Sequence, residues 1–166
     1  MESYSHPPFN ITIQAVRTVS RQFANTTTLL HETIARQAGL SPTDLKYLEL
    51  IIQKGQMTAG ELAHLTGLTT GAITGLIDRL QKKKLVKRQY AKDDRRKVFI
   101  VPITANTSRI LEPLTHPQSE KILRHLQSFD EGELLTILHF FNGINEANLS
   151  AIHQISRAKG GQGATL

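Results

Sequence analysis

A chain of 166 residues that is 39% hydrophobic is long enough to bury one core, and it contains no apolar run near the 18 residues of a membrane span. Its N-terminus, MESYSHPPF, lacks the charged and apolar regions of an export signal, so the expected compartment is the cytoplasm. There is no cysteine, which excludes disulfides, thiolate nucleophiles, thiol redox sensing and cysteine-rich zinc sites, and the net charge of +6 points to an anionic partner.

Residues 1–8 read as a loose tail with Pro7 and Pro8. Phe9, Ile13, Val16, Phe23, Leu30 and Ile34 then recur every three or four residues and predict a long helix over about 9–37, stopped by Gly39. Ser41-Pro42-Thr43-Asp44 is a helix start. Ser41 caps, Pro42 suits the first helical position, and Asp44 places negative charge in the first turn. Leu45, Leu48, Ile51 and Ile52 supply that helix's apolar face, and Gly55 ends it.

Thr58-Ala59-Gly60-Glu61 has the spacing of a capping box and opens a short helix through Leu62, Ala63 and Leu65. Gly67 marks a turn. A second helix follows, TTGAITGLIDRL over 69–80, with Thr69 as N-cap and Ile73, Leu76, Ile77 and Leu80 facing inward. Two short helices around a Gly-containing turn are a helix-turn-helix unit. Gly71 and Gly75 fall with Thr74 and Asp78 on the outer side of the second helix, although glycine is a poor helix former.

After Leu85 the period changes to two. Strands are predicted at about 86–90 and 97–102, joined by the polar loop AKDDRR into a β-hairpin. Residues 104–128 predict a further helix that Pro113 and Pro117 kink or break. Asp130 and Glu133 repeat the capping-box spacing before a last helix over about 131–156. Residues 157–166 read as a flexible tail.

Charge is concentrated on this frame. Ten of the 20 Lys and Arg lie between Arg79 and Lys97, against only Asp93 and Asp94; the rest of the chain is close to neutral. A basic cluster spanning the end of the second helix and the hairpin is the footprint of a phosphate-binding surface. The expected fold is therefore mainly α with a small β-hairpin wing, a winged helix-turn-helix. Its second helix would enter a DNA major groove while the hairpin carries arginine to an adjacent minor groove. Long amphipathic helices at both ends suit a two-fold homodimer better than a monomer.

LAHLTGLTTGAITGLIDRLQKKKLVKR followed by DDRRKVFIVPIT resembles the MarR family of bacterial transcription regulators. The matching elements are Asp78-Arg79-Leu80 ending the recognition helix, the basic link Lys82-Lys83-Lys84, Leu85-Val86, and the D-x-R wing of Asp94-Arg95-Arg96. The resemblance is specific over about 41–104. After the wing the family's L-T-x-x-G is replaced by Ile103-Thr104-Ala105-Asn106-Thr107. The resemblance implies a homodimer, usually a repressor, on a pseudo-palindromic operator. It also implies a small aromatic or anionic ligand between the DNA-binding lobe and the dimer helices. One chain would then comprise a dimerisation region (9–38 and 105–156), a DNA-binding lobe (41–103) and a tail (157–166).

The expected DNA-binding residues follow. Arg96 matches the wing arginine, with Asp94 holding the wing tip; Arg95 and Lys92 are phosphate contacts. Thr69, Thr70 and Thr74 offer hydroxyls to phosphate or base edge, or else cap and solvate the helix. Gly71 and Gly75 let the backbone come close to DNA. Arg79 contacts phosphate or forms an internal salt bridge with Asp78 or a neighbour.

No enzyme is expected. His31-Glu32 fails the HExxH pattern at Ala35, Gly161 and Gly163 lie in a tail without strand or helix context, and there is no G-x-S-x-G. No cofactor or resident metal is expected. The alternatives are a helical protein-interaction module, or a metal-sensing regulator in which some of His116, His125, His139 and His153 meet at a dimer interface.

Overall fold

The computed structural model describes residues 9–91, 94 and 96–160. Helix α1 spans Phe9–Gln37, as its periodicity predicts. Helix α2, Pro42–Lys54, is capped by Ser41, whose hydroxyl oxygen accepts the Asp44 N–H at 3.0 Å. Helix α3, Ala59–Thr66, begins with the full capping box. Thr58 Oγ1 accepts the Glu61 N–H at 3.1 Å, and Glu61 Oε2 accepts the Thr58 N–H at 2.7 Å. Gly67 closes α3 at φ 68, ψ 10, a left-handed conformation that glycine enters without a Cβ clash. Helix α4, Thr70–Lys82, follows from the Thr69 cap.

The sheet corrects the two-stranded expectation. Besides β2 (Val86–Tyr90) and β3 (Val98–Pro102) there is a short β1, Met57–Thr58, and all three are antiparallel in the order β1-β3-β2. Ile100 in the middle strand sits opposite both Met57 and Arg88. A two-residue strand has no periodicity to read; only its pairing with β3 defines it.

Helix α5, Thr104–Leu126, continues through Pro113 and Pro117 without interruption. Of the kink or break expected at these prolines, the break is absent. Helix α6, Glu131–Gly160, opens on a second capping box. Asp130 Oδ1 accepts from the Glu133 N–H and Glu133 Oε2 from the Asp130 N–H, both at 2.9 Å.

The chain divides into two compact units at His116/Pro117. The first holds the core. Leu45, Leu48 and Ile51 of α2, Leu62 of α3, Ile73, Leu76, Ile77 and Leu80 of α4, Leu85, and Ile100 of β3 are buried together, with Ile34 and Ala35 joining from the end of α1. Along the rest of α1, Ile11, Val16, Val19, Phe23 and Leu29 are exposed. The second unit contains the end of α5 and all of α6, and none of its described side chains is buried. Leu135, Leu138, Phe141, Leu149, Ile152 and Ile155 stand in the open along α6.

Candidate nucleic-acid interface

Helix α4 is fixed from below by its apolar face and turned outward along residues 71, 75, 78 and 82, which are spaced four, three and four apart. The first two are glycines. A Cβ built at Gly71 would meet nothing within 4 Å, so this glycine serves no helix–helix contact. Thr69, Thr70 and Thr74 are exposed beside this strip. Thr69 Oγ1 accepts the Ala72 N–H at 3.3 Å, and the Thr74 hydroxyl donates to the Thr70 carbonyl at 3.0 Å. Capping and solvent exposure thus coexist in these hydroxyls, whose oxygens retain lone pairs for a further donor.

Each flank of α4 is tied by an arginine to a carboxylate. On one side Arg79 donates through Nε to Asp44 Oδ2 at 3.0 Å and through Nη2 to Asp44 Oδ1 at 2.6 Å. This hydrogen bond raises the Arg79 guanidinium further above its ordinary value. On the other side Arg88 of β2 donates to Asp78 Oδ1 at 2.7 Å and to Gln81 Oε1. The internal partner of Arg79 is therefore Asp44, 35 residues away, and Asp78 belongs to Arg88. Asp44 and Arg88 were not among the expected site residues. The alternation of β2 carries a signal for Arg88: it shares a strand face with Val86, which is buried. Asp44 has no comparable signal, because its contribution to the helix dipole is sufficient reason for an acid in a first turn.

The wing tip lies between the end of β2 and the start of β3. Asp94 Oδ1 accepts the Arg96 backbone N–H at 2.9 Å and Arg96 Nε at 3.3 Å, while 94% of the Arg96 side chain remains exposed. Asp94 thus shapes the tip and Arg96 projects from it. Lys97 lies over the Phe99 ring at 5.0 Å. Two expected phosphate contacts, Lys92 and Arg95, lie outside the described residues.

A cleft of about 420 Å³ lies between α2, the end of β3 and α5, lined by Ile52, Val101, Thr104, Thr107, Leu111 and Glu112 among others. Among the described residues no three histidine or carboxylate side chains gather as metal ligands, so His116, His125, His139 and His153 make no such group within one chain.

The model of the MarR family matches residues 40–98. The chain is similar to the uncharacterized HTH-type transcriptional regulator YcgE of Bacillus subtilis (strain 168), 42% identical over 120 residues that cover 72% of this chain and 77% of that one. It is also 32% identical over 101 residues, 61% of this chain and 68% of the relative, to the uncharacterized HTH-type transcriptional regulator YsmB of the same organism. Among solved structures, transcriptional regulator Tm0710 from Thermotoga maritima superposes with a TM-score of 0.60 at 23% identity, covering 82% of this chain and 98% of that one. Apo MarR from E. coli does so with a TM-score of 0.52 at 19% identity, covering 84% and 98%. At these identities the solved structures share the fold.

Proposed function

The chain belongs to the MarR family, and from that premise we propose that this DNA-binding transcriptional regulator works as a homodimeric repressor on a pseudo-palindromic operator, with no enzymatic activity. The observation that carries the DNA contact is the pairing of a bare outer face on α4 with a wing whose Arg96 is 94% exposed. In this reading α4 lies in a major groove, with the backbone of Gly71 against the DNA, the half-buried Gly75 facing it beneath the Arg79 guanidinium, and the Thr69, Thr70 and Thr74 hydroxyls reaching phosphates or base edges. Arg96 reaches the adjacent minor groove, Asp94 fixes its loop, and Lys92 and Arg95 add phosphate contacts.

The dimer is proposed from the apolar faces of α1 and α6, which residues 9–38 and 105–156 would bury against a second copy, leaving 41–103 as the DNA-binding lobe. A regulator of this kind acts on the chromosome, so the cytoplasm is the proposed compartment. No described helix is long and apolar enough to cross a membrane. For the ligand, the cleft is the proposed seat. It offers apolar walls, threonine and serine hydroxyls and Glu112, with no Lys, Arg or His among its lining residues. That chemistry favours an aromatic, hydroxyl-bearing compound over an anion.

Genome-wide mapping of bound DNA tests the regulator directly. Recovery of a few upstream regions sharing an inverted repeat is expected, and a uniform, sequence-independent distribution would overturn the operator reading.

A further inference from the structure

The ion pair between Arg79 and Asp44 is asymmetric. The acid's side chain is 6% exposed and the base's 56%, so the carboxylate is inside and the guanidinium reaches the surface. Asp44 occupies the Nε and Nη2 edge of the fork. The remaining nitrogen, Nη1, lies 3.6 Å from where a Cβ on Gly75 would stand. Gly75 is on the outward strip of α4, one turn before Arg79. The guanidinium is therefore laid from the flank of the helix across its outer face, over a residue without a side chain.

Nothing in the packing requires glycine at this position. A Cβ there would make an ordinary contact, and the backbone is helical. A longer side chain, however, would fill the space in front of Nη1. The carboxylate and the glycine thus have complementary effects: one holds the arginine by its inner edge, and the other leaves its outer edge uncovered. A planar fork held by two hydrogen bonds is already ordered before a partner arrives.

We propose that Asp44 is a positioning residue of the DNA-binding surface, holding Arg79 with Nη1 uncovered over Gly75 so that it donates to a phosphodiester oxygen of the DNA backbone. The inference rests on reading α4 as the recognition helix. Its ligand is the backbone phosphate, so its effect is felt on every sequence.

The test is the affinity of the full-length protein for a mixed-sequence duplex across a range of NaCl, with melting temperatures measured alongside and binding read well below them. Arg79→Gln is expected to reduce the slope of log affinity against log salt by about 0.9, the loss of one phosphate contact. Gly75→Leu is expected to melt no lower than wild type yet bind several-fold more weakly. Asp44→Asn removes a negative charge, so field alone would tighten binding; positioning requires it to weaken, and Arg79→Lys, without the fork, gives no rescue. Unchanged slope in Arg79→Gln, or equal or tighter binding by Asp44→Asn, would overturn the proposal. Wild type binding with a steep salt dependence while these variants match it would defeat the Asp44–Arg79 inference and leave the recognition-helix reading standing. Wild type failing to bind any duplex would remove the recognition-helix reading itself.

Discussion

Arg96 and Arg79 bring the same charge to different surroundings. Arg96 is almost wholly exposed and is tethered at one edge to an acid two residues away, so its loss removes little folded-state interaction. Arg96→Ala is expected to weaken operator binding at least tenfold, about 1.4 kcal/mol, with no appreciable change in melting temperature. An unchanged affinity would mean that the wing does not carry the contact. Gly71 makes the opposite kind of case. Open space surrounds it, so Gly71→Ala is expected to stabilise the fold by roughly 0.5–1 kcal/mol through helix propensity. If the backbone of α4 meets DNA there, the same methyl weakens binding; denaturation and anisotropy measured together separate the two effects. At this scale the caps were legible in the sequence, because Ser41, Thr58, Thr69 and Asp130 each act on the amide three residues on. The partnership of Asp44 with Arg79 was not, because 35 residues separate them and only the fold of α2 against α4 brings them together.

Among the elements, α3 is the shortest helix, eight residues, and depends most on its ends. Thr58→Ala is expected to cost about 1 kcal/mol in chemical denaturation, and a change within a few tenths would show that the packing of Leu62 alone holds α3. Its box also carries a pH signature. The Thr58 backbone N–H, and then its hydroxyl, hold the Glu61 carboxyl below its ordinary value. The folded state therefore favours the ionised form. Its contribution is present above the ordinary glutamate range and is lost as pH falls through the lowered folded value. The stability gap between wild type and Glu61→Gln is expected to narrow on acidification; a gap that widened in acid would contradict the assignment. Periodicity made α1, α2, α4, β2, β3 and α6 readable within a residue or a few. It could not reveal β1, which exists only as the partner of β3, and of the kink or break expected at the prolines of α5 the break is absent.

For the whole molecule, the distribution of apolar surface is the main clue. One core is shared by α2, α3, α4 and the sheet, while α1 and α6 expose rows of large apolar side chains that a lone chain has no reason to keep. Leu138→Glu, at a position 56% exposed in the single chain, is expected to shift sedimentation at micromolar concentration from dimer toward monomer. A wild type that sediments only as monomer would end the dimer proposal. The charge map shows the complementary pattern: a basic stretch from Arg79 to Lys97 on an otherwise near-neutral chain. Together these two patterns are the sequence features from which the DNA-binding lobe and the partner copy are proposed. In the proposed dimer the spacing of the two recognition helices would be set by the partner copy, which leaves no periodicity or motif in a single chain's sequence.

The central claim is that α4 and the wing form a phosphate-neutralising, sequence-reading surface, and salt titration of duplex binding tests it most directly. The prediction is a linear fall of log affinity with log salt, steep enough for several phosphates, with duplex from upstream of the protein's own gene held more tightly than mixed sequence. No binding to either duplex at low salt would contradict it.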